Sequence, residues 1–284
     1  MSSPYSDLER PPLSAVALRR ALLVPGALYT RLDLTPSTGS TNADVAAAAR
    51  DGAEEGLVLV AEAQTAGRGR LGRAWQSPPR AGITASVLLR PGQAVEVRGW
   101  PAAPPSWYGL LPLLAGVALV ETVRRLGEVD AVLKWPNDLL IDGRKCAGIL
   151  AETVPGPAGG PPAAVVVGVG LNVTLREPEL PRPDVTSLQL AGASCVDRDP
   201  LLRALLRAFA DGYGRWRAAG GDPVRSGLIE SYRFHCATIG ARVNVALPGG
   251  TEIVDDVTGV ADDGALLIAG RTVAARDVIH LRGN

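Results

Sequence analysis

Between Gln64 and Trp75 the chain reads Gln-Thr-Ala-Gly-Arg-Gly-Arg-Leu-Gly-Arg-Ala-Trp, so that Gly67, Gly69 and Gly72 alternate with Arg68, Arg70 and Arg73. Arginine offers a planar fork of donors suited to phosphate and carboxylate oxygens. Glycine lets the backbone bend where other residues cannot, and brings N–H groups close to an anion. The combination reads as a loop that closes over phosphate. The spacing Gly67-x-Gly69-x-x-Gly72 also fits a dinucleotide-binding turn, which needs a strand before it and a helix after it. Leu57 to Ala61 supplies the strand, but Arg73 to Pro79 has neither the period nor the composition of a helix. That reading is rejected. A solvated basic surface turn is the bland reading of the stretch taken alone.

Three further segments carry polar or charged groups at suggestive positions. Lys134-Trp135-Pro136-Asn137-Asp138 leads into Leu139 to Ile141 and a hairpin turn at Asp142-Gly143, which sets Lys145 on the threshold of the apolar strand Lys145 to Glu152. Ser40-Thr41-Asn42 precedes an alanine-rich helix ending near Arg50. Ser40 or Thr41 suits an N-cap, the better reading of this segment alone; the alternative is that the same hydroxyls and Asn42 hydrogen-bond a small polar ligand. Gly168-Val169-Gly170-Leu171-Asn172 ends a continuous apolar strand. It lacks the third glycine and the helix of a phosphate turn, so close backbone packing is its better reading.

The elements that must position these groups follow from pattern. Helices are expected over 13–24, from about 41 to 50, over 107–126 with Gly127 just past its end, and over 200–219 and 223–232. Strands are expected over 28–34, 57–61, 83–89, 131–135, 139–141, 145–152 and 163–169. Pro91 to Pro105 is a proline-rich connection and Pro155 to Pro162 a Gly/Pro loop. From about Ala237, short β-type segments alternate with turns such as Pro248-Gly249-Gly250 and Asp262-Asp263-Gly264, which suggests a small β-barrel or sandwich.

Composition bounds the class. The chain has 284 residues, 46% of them hydrophobic, and 29 basic residues balance 29 acidic ones. That balance argues against a bulk nucleic-acid binder and leaves the arginine cluster as a local device. Cys146, Cys195 and Cys236 are widely spaced, with only His235 and His280 beside them. No disulfide framework or zinc site is expected, and a reducing compartment fits. The start of the chain is polar and proline-bearing, unlike a signal peptide. Trp107 to Val123 is interrupted by Gly109, Pro112 and Gly116 and reads as a buried helix rather than a membrane span. The expectation is a soluble cytoplasmic protein.

Taken in order, Ser40-Thr41-Asn42, Gln64 with the arginine loop through Trp75, Lys134 to Asp138 with Lys145 to Leu150, and Gly168 to Asn172 closely resemble the biotin protein ligases. The resemblance runs from about residue 28 to the C-terminus. It implies an α+β fold: a mixed sheet with helices, of the class II synthetase-like biotin/lipoate ligase type, followed by a small SH3-like β-barrel. The implied organisation is an N-terminal extension (1–27), a catalytic domain (28–236) and a C-terminal β domain (237–284). The implied reaction joins biotin and MgATP to give biotinyl-5′-AMP and pyrophosphate, then passes the acyl group to a lysine of a carrier domain. The implied acceptors are biotin carboxyl carrier domains of acyl-CoA or pyruvate carboxylases.

Carried over by position, Ser40, Thr41, Asn42 and Gln64 would hold the ureido group and ring of biotin. Gly67, Arg68, Gly69 and Arg70 would close over biotin and the adenylate, with Gly148 and Ile149 as backbone and wall of the pocket. Lys145 would contact the carboxylate and α-phosphate; Arg70, Arg73, Trp75, Asn137 and Asn172 would line the nucleotide end, with Trp75 stacked near the adenine. Arg68, Arg70 and Lys145 would be the catalytic cations. Asp138 would orient or deprotonate the acceptor lysine, or else be a structural carboxylate tied to Asn137 or Lys134. No protein metal site is implied; Mg²⁺ arrives on the phosphates. Such chemistry needs no side-chain nucleophile, because the biotin carboxylate is itself the nucleophile. The difficulty is to bring two anions together, which calls for cations and positioning.

About 27 residues precede the first strand, too few for the winged-helix DNA-binding domain of bifunctional relatives, so a monofunctional ligase without DNA binding is expected. A weak or ligand-dependent homodimer is left open. Rival readings are a lipoate ligase or octanoyl transferase of the same superfamily, the latter with Cys146 as nucleophile, and a non-catalytic biotin-sensing regulator.

Overall fold

A computed structural model describes residues 10–156, 160, 162–247, 251–275, 278 and 280–283. Seven strands, β1 (Arg31–Thr35), β2 (Leu57–Ala61), β3 (Gly82–Leu89), β4 (Ala131–Lys134), β5 (Asp138–Ile141), β6 (Arg144–Val154) and β7 (Ala164–Asn172), form one sheet in the order β1-β2-β3-β7-β6-β5-β4. β1 and β2 run parallel; every other neighbouring pair is antiparallel. β3 and β7 lie at the centre and are buried almost throughout; β7 is apolar from Ala164 to Leu171, and β3 is apolar apart from Thr84 and Ser86.

The two faces of the sheet differ, and the difference makes the site. On one face Val165, Val167 and Leu171 of β7 join the main core beneath α1 (Ala15–Leu22), α3 (Leu111–Gly127), α4 (Arg198–Ala218) and α5 (Leu228–His235). On the other, Ala164 and Val166 of β7, Leu88 and Val154 meet Val45 and Ala49 of α2 (Thr41–Arg50) in a small separate cluster. Farther along the α2 face β7 offers Gly168 and Gly170, and β6 sets Gly148 opposite Gly170. With no side chains there, a cavity opens beside the N-terminus of α2.

A second, five-stranded antiparallel sheet follows, in the order β11-β10-β9-β8-β12, from β8 (Arg242–Ala246), β9 (Glu252–Val260), β10 (Leu266–Ile268), β11 (Arg271–Val273) and β12 (His280–Gly283). Trp135 ties it to the first. That side chain is 1% exposed; its indole Nε1–H donates to the Gly264 carbonyl at 2.9 Å and its backbone N–H to Thr238 Oγ1 at 2.9 Å. Gly264, at φ +84°, presses on α3 so closely that a Cβ would come within 2.8 Å of Leu113.

Most expected elements are present, with shifted ends. β1 starts at Arg31 rather than Leu28, because Leu28 and Tyr29 are buried and the Tyr29 hydroxyl donates to the Leu206 carbonyl at 2.6 Å. Gly127 is still helical; the left-handed residue that ends α3 is Glu128, at φ +53°. The expected helix 223–232 begins only at Leu228, after turns in which Asp222 accepts from the backbone of Val224 and Arg225. The turn at 248–250 and residues 157–159 and 161 of the Gly/Pro loop lie outside the described residues. The segment Pro105–Gly127 is long and apolar enough to cross a membrane by composition, yet 72% of its most apolar window is buried inside the fold.

Replacing Trp135 by Phe keeps most of the buried ring but strips the Gly264 carbonyl of its donor. The expected cost is about 1–3 kcal/mol of stability, read from urea unfolding; an unchanged midpoint would show that this carbonyl finds another partner.

Candidate functional site

The cavity on the glycine floor has a volume of about 830 Å³. Ser40, Thr41, Asn42, Gln64, Arg68, Gly69, Arg70, Arg73, Trp75, Asn137, Asp138, Lys145, Gly148, Ile149 and Asn172 all line it. Gly67 does not. It sits behind the wall, where a Cβ would meet the Trp75 carbonyl at 2.4 Å and Gln64 Nε2 at 2.8 Å.

One end of the cavity is polar and uncharged. Helix α2 begins there with Ser40 as its N-cap residue, but the Ser40 side chain makes no cap bond. The otherwise unpaired first-turn donor is met instead by Gln64, whose Oε1 accepts from the Thr41 N–H at 2.8 Å. The Thr41 hydroxyl lies 3.0 Å from the same oxygen and 2.8 Å from Ser86 Oγ; Ser86 donates to Asn42 Oδ1 at 2.7 Å. Asn42 Nδ2 donates to the Leu150 carbonyl at 3.2 Å and to Glu152 Oε2 at 2.8 Å. Asn42 can approach only because residue 168 is glycine: a Cβ there would stand 2.1 Å from Asn42 Oδ1.

The other end is cationic. The described residues lining the cavity include six cations, Arg68, Arg70, Arg73, Lys134, Lys145 and Arg182, against two carboxylates, Asp138 and Asp184. Lys145 Nζ donates to Asp138 Oδ1 at 2.6 Å, both side chains being about a quarter exposed (23% and 24%). Among the described residues no side-chain bond joins Asp138 to Asn137 or Lys134, the partners named in the structural alternative for Asp138; Lys134 is its register partner across β4 and β5. Asn137 instead braces β6, with Nδ2 donating to the Ile149 carbonyl at 2.8 Å and its own carbonyl accepting from Ile149 N–H at 2.9 Å.

The arginine loop folds as a small hairpin over this end. Gly69 N–H donates to the Arg73 carbonyl at 2.6 Å and Trp75 N–H to the Gly67 carbonyl at 2.9 Å. Its tip holds two successive residues at positive φ, Leu71 at +56° and Gly72 at +71°, the pattern of the tight turn that matches strand twist. Glycine is at ease there and Leu71 is strained, a feature that concentrates at functional loops. Arg70 reaches past the tip to the C-terminal sheet, with Nη2 donating to the Ala275 carbonyl at 2.6 Å and to that of Val278 at 3.4 Å, and Nη1 to Asn137 Oδ1 at 3.4 Å. Burial lowers the Arg70 pKa from its ordinary value, Asp138 pulls it back up and Arg73 adds to the lowering. Arg68 and Arg73 are exposed.

Between the two ends lies Trp75. Its indole covers Gly170 and Gly148, where added Cβ atoms would come within 2.4 Å and 3.3 Å of the ring, and Lys145 Nζ stands 5.8 Å from the ring centre. Its Nε1–H is buried and has no partner among the described residues. Asn172, 2% exposed, donates through Nδ2 to the Thr186 carbonyl at 3.0 Å, while its Oδ1 is buried with no partner among the described residues. The cavity wall therefore holds one unmet donor and one unmet acceptor. Among the described residues no group of three metal-ligating side chains exists, so nothing there forms a resident metal cage.

Sequence reasoning missed several participants. Thr84 and Ser86 alternate on an otherwise apolar, fully buried strand, which was the available signal. Lys134, marked by its motif but given no role, also lines the cavity, as do Arg182, Asp184 and, from the C-terminal sheet region, Val278, which no local spacing marks. Cys146 has no place in it. The thiol faces the main core, 0% exposed, and burial pushes its pKa well up.

Comparison with known proteins agrees with this geometry. Residues 34–172 match the biotin/lipoate A/B protein ligase family. The chain is 43% identical to a biotin–[acetyl-CoA-carboxylase] ligase of Mycobacterium tuberculosis over 97% of this chain and 98% of that one. It is 33% identical to a biotin–[acetyl-CoA-carboxylase] ligase of Paracoccus denitrificans over 85% of this chain and 95% of that one. The fold is that of the biotin protein ligase from Aquifex aeolicus in complex with biotin and ATP, with a TM-score of 0.71, 24% identity, and coverage of 90% of this chain and 100% of that one. With a near full-length relative at that identity, and a cavity walled by the motifs that first suggested it, the chain belongs to the biotin protein ligases of the biotin/lipoate A/B protein ligase family.

Proposed function

We propose that the protein activates biotin with MgATP and transfers it to a lysine of a biotin carboxyl carrier domain. One observation supports this above others: a single cavity joins a neutral hydrogen-bonding end to a cationic end across a bare glycine floor. A ligand that fits has an uncharged polar ring, a carboxylate at the middle and phosphates beyond. Thr41, Asn42 and Gln64, with Ser40, face the ureido ring. Gly148 and Ile149 give floor and wall, and Trp75 with Gly69 closes the side, Gly67 backing Trp75 from behind.

In the first step a biotin carboxylate oxygen attacks the α-phosphorus of ATP, a new P–O bond forms, the bond from Pα to the bridging oxygen breaks and pyrophosphate leaves with the electron pair. Lys145, Arg68 and Arg70 offset the repulsion between the two anions. Fixed donors aimed at developing charge in a water-poor site give the strongest stabilisation of the transition state that such a cavity can offer. Mg²⁺ enters as part of the MgATP substrate, held by phosphate oxygens. Arg73, Asn137 and Asn172 serve the nucleotide end, where the unmet Asn172 Oδ1 suits a ligand N–H. The arginine hairpin shields the mixed anhydride from water.

In the second step the acceptor amine attacks the acyl carbon, a C–N bond forms, the C–O bond to AMP breaks and the amine gives up a proton. In this reading Asp138 takes that proton once Lys145 turns from it to the phosphate. The acceptors that fit the reading are carrier domains of acyl-CoA or pyruvate carboxylases. DNA has no place in this reading, since 29 basic residues are balanced by 29 acidic ones. The division into 28–236 and 237–284 serves as a catalytic body and a β domain that closes one wall.

A lipoate ligase fits less well, because a dithiolane ring offers nothing to the Thr41–Asn42–Gln64 end, and a site built to hydrogen-bond rejects a ligand that cannot. Pyrophosphate exchange into ATP should therefore proceed with biotin and not with lipoate or octanoate. Lys145→Ala and Arg68→Ala should each lower it by about 10²- to 10³-fold. Exchange driven by lipoate, or biotin binding with no exchange at all, would overturn the assignment. Asp138→Asn should slow transfer from purified adenylate by about 10²-fold or more; normal transfer would reduce Asp138 to a holder of Lys145.

An acyl-cysteine route is likewise checkable. Cys146 and Cys236 are buried and burial raises both thiols, while Cys195 is half-buried in a loop. Native protein should take up one equivalent of a thiol reagent, at Cys195, with no loss of exchange activity, and three only after denaturation. Rapid labelling at Cys146 would revive the transferase reading.

A further inference from the structure

Glu152 lies on β6 outside the cavity lining, and nothing so far gives its carboxylate a purpose. Its Oε2 is the terminus of a hydrogen-bonded chain that runs through Asn42, Ser86 and Thr41 to Gln64, drawn from β6, α2, β3 and the segment after β2. An ionised carboxylate and a backbone carbonyl can only accept. Facing Glu152 Oε2 at 2.8 Å and the Leu150 carbonyl at 3.2 Å, Asn42 must present its NH₂ group to them and its Oδ1 to Ser86. The single Ser86 proton is then committed to Asn42 Oδ1 at 2.7 Å, so Ser86 Oγ must accept from the Thr41 hydroxyl at 2.8 Å. Thr41 Oγ1 and Gln64 Oε1, 3.0 Å apart, are left as two acceptors side by side at the cavity wall, with the Thr41 N–H serving one of them.

We propose that Glu152 is a positioning residue for substrate selection: it sets the direction of this chain so that the cavity offers an acceptor pair to an N–H donor of the bound ring. The inference rests on the biotin reading above, since a ureido ring carries two such N–H groups and a dithiolane or alkyl chain carries none. Gly168 belongs to the same device, because any side chain there would displace Asn42 Oδ1.

Glu152→Gln is nearly isosteric and can reverse the chain. In that variant only the longer 3.2 Å bond to the Leu150 carbonyl still holds Asn42, and a glutamine NH₂ at the shorter contact can donate to an inverted Asn42; Ser86 would then accept from Asn42 and donate to Thr41, Thr41 would donate to Gln64, and the acceptor pair would be lost. The test measures biotin-dependent pyrophosphate exchange, biotin affinity by calorimetry and the thermal midpoint for the native protein, Glu152→Gln, Ser86→Ala and the double variant. The expected result is a rise of about tenfold or more in KM and Kd for biotin with Glu152→Gln, with kcat at saturating biotin, KM for ATP and the thermal midpoint unchanged. In the Ser86→Ala background, where the relay is already cut, Glu152→Gln should add less than about twofold. A KM for biotin close to native, a fall in kcat alone, or full additivity with Ser86→Ala would each overturn the proposal. Biotin-dependent exchange by the native protein stands in every one of those outcomes, so they leave the ligase reading intact; its absence in the native protein would instead remove the biotin reading itself.

Discussion

The site depends on a place where the sheet has no side chains. Gly148 on β6 and Gly170 on β7 are directly paired, with Gly168 two residues along, on the face that α2 covers only in part. A Cβ at 170 would stand 2.4 Å from the Trp75 ring, and one at 168 would stand 2.1 Å from Asn42. Bare backbone thus lets an indole and an amide lie flat on the strands. In a close-packed interior such room cannot be made by small adjustments, since neighbouring atoms are held to within tenths of an ångström. Glycine weakens a strand through lost packing and greater chain entropy, and here the central position of β7, flanked by β3 and β6 along its whole length, offsets that weakness.

Above this floor the electrostatics are arranged by depth. Six cations face two carboxylates, yet the cations are not equivalent. Lys145 is already paired with Asp138, which keeps an ammonium oriented without leaving it unpaired. Arg70 is the more buried of the loop arginines, and its charge is met by carbonyl oxygens and by Asp138. Arg68 and Arg73 stand at the exposed rim, where water screens them until a ligand and the closed loop exclude it. A site graded in this way keeps its cations solvated or paired when alone, and under the proposed function their field acts when phosphate arrives.

How much of this could be read from the chain depends on whether the signal was local. The arginine loop, Lys145 and the Ser40–Asn42 segment were legible because glycine, arginine and capping residues are sparse and their spacing has mechanical meaning. The sheet and its helices were legible from period, with errors where burial outweighed pattern, as at Leu28 and Tyr29, or where turns imitated a helix, as at 223–227. What escaped was what only topology creates. Asp138 meets Lys145 because β5 and β6 are hairpin partners with a register shift between Leu139 and Leu140, a detail no residue type announces. Ser86 and Glu152 come together at Asn42 from strands 66 residues apart, a distance across which sequence pattern carries no information about pairing.

The same reasoning explains why the C-terminal sheet, whose own strands carry no recognisable chemistry, belongs to the site. Trp135, in the segment that also carries Asn137 and Asp138, is buried against it through the Gly264 carbonyl and Thr238. Arg70, at the tip of the loop that roofs the cavity, bonds the carbonyls of Ala275 and Val278. One wall and the roof therefore lean on the same small sheet from two sides. The Ala275 carbonyl also accepts the Val278 N–H at 3.3 Å, so the guanidinium uses the second lone pair of an oxygen that the backbone already holds in place. Those oxygens anchor the Arg70 side chain, and under the proposed function the β domain acts on the chemistry through geometry alone.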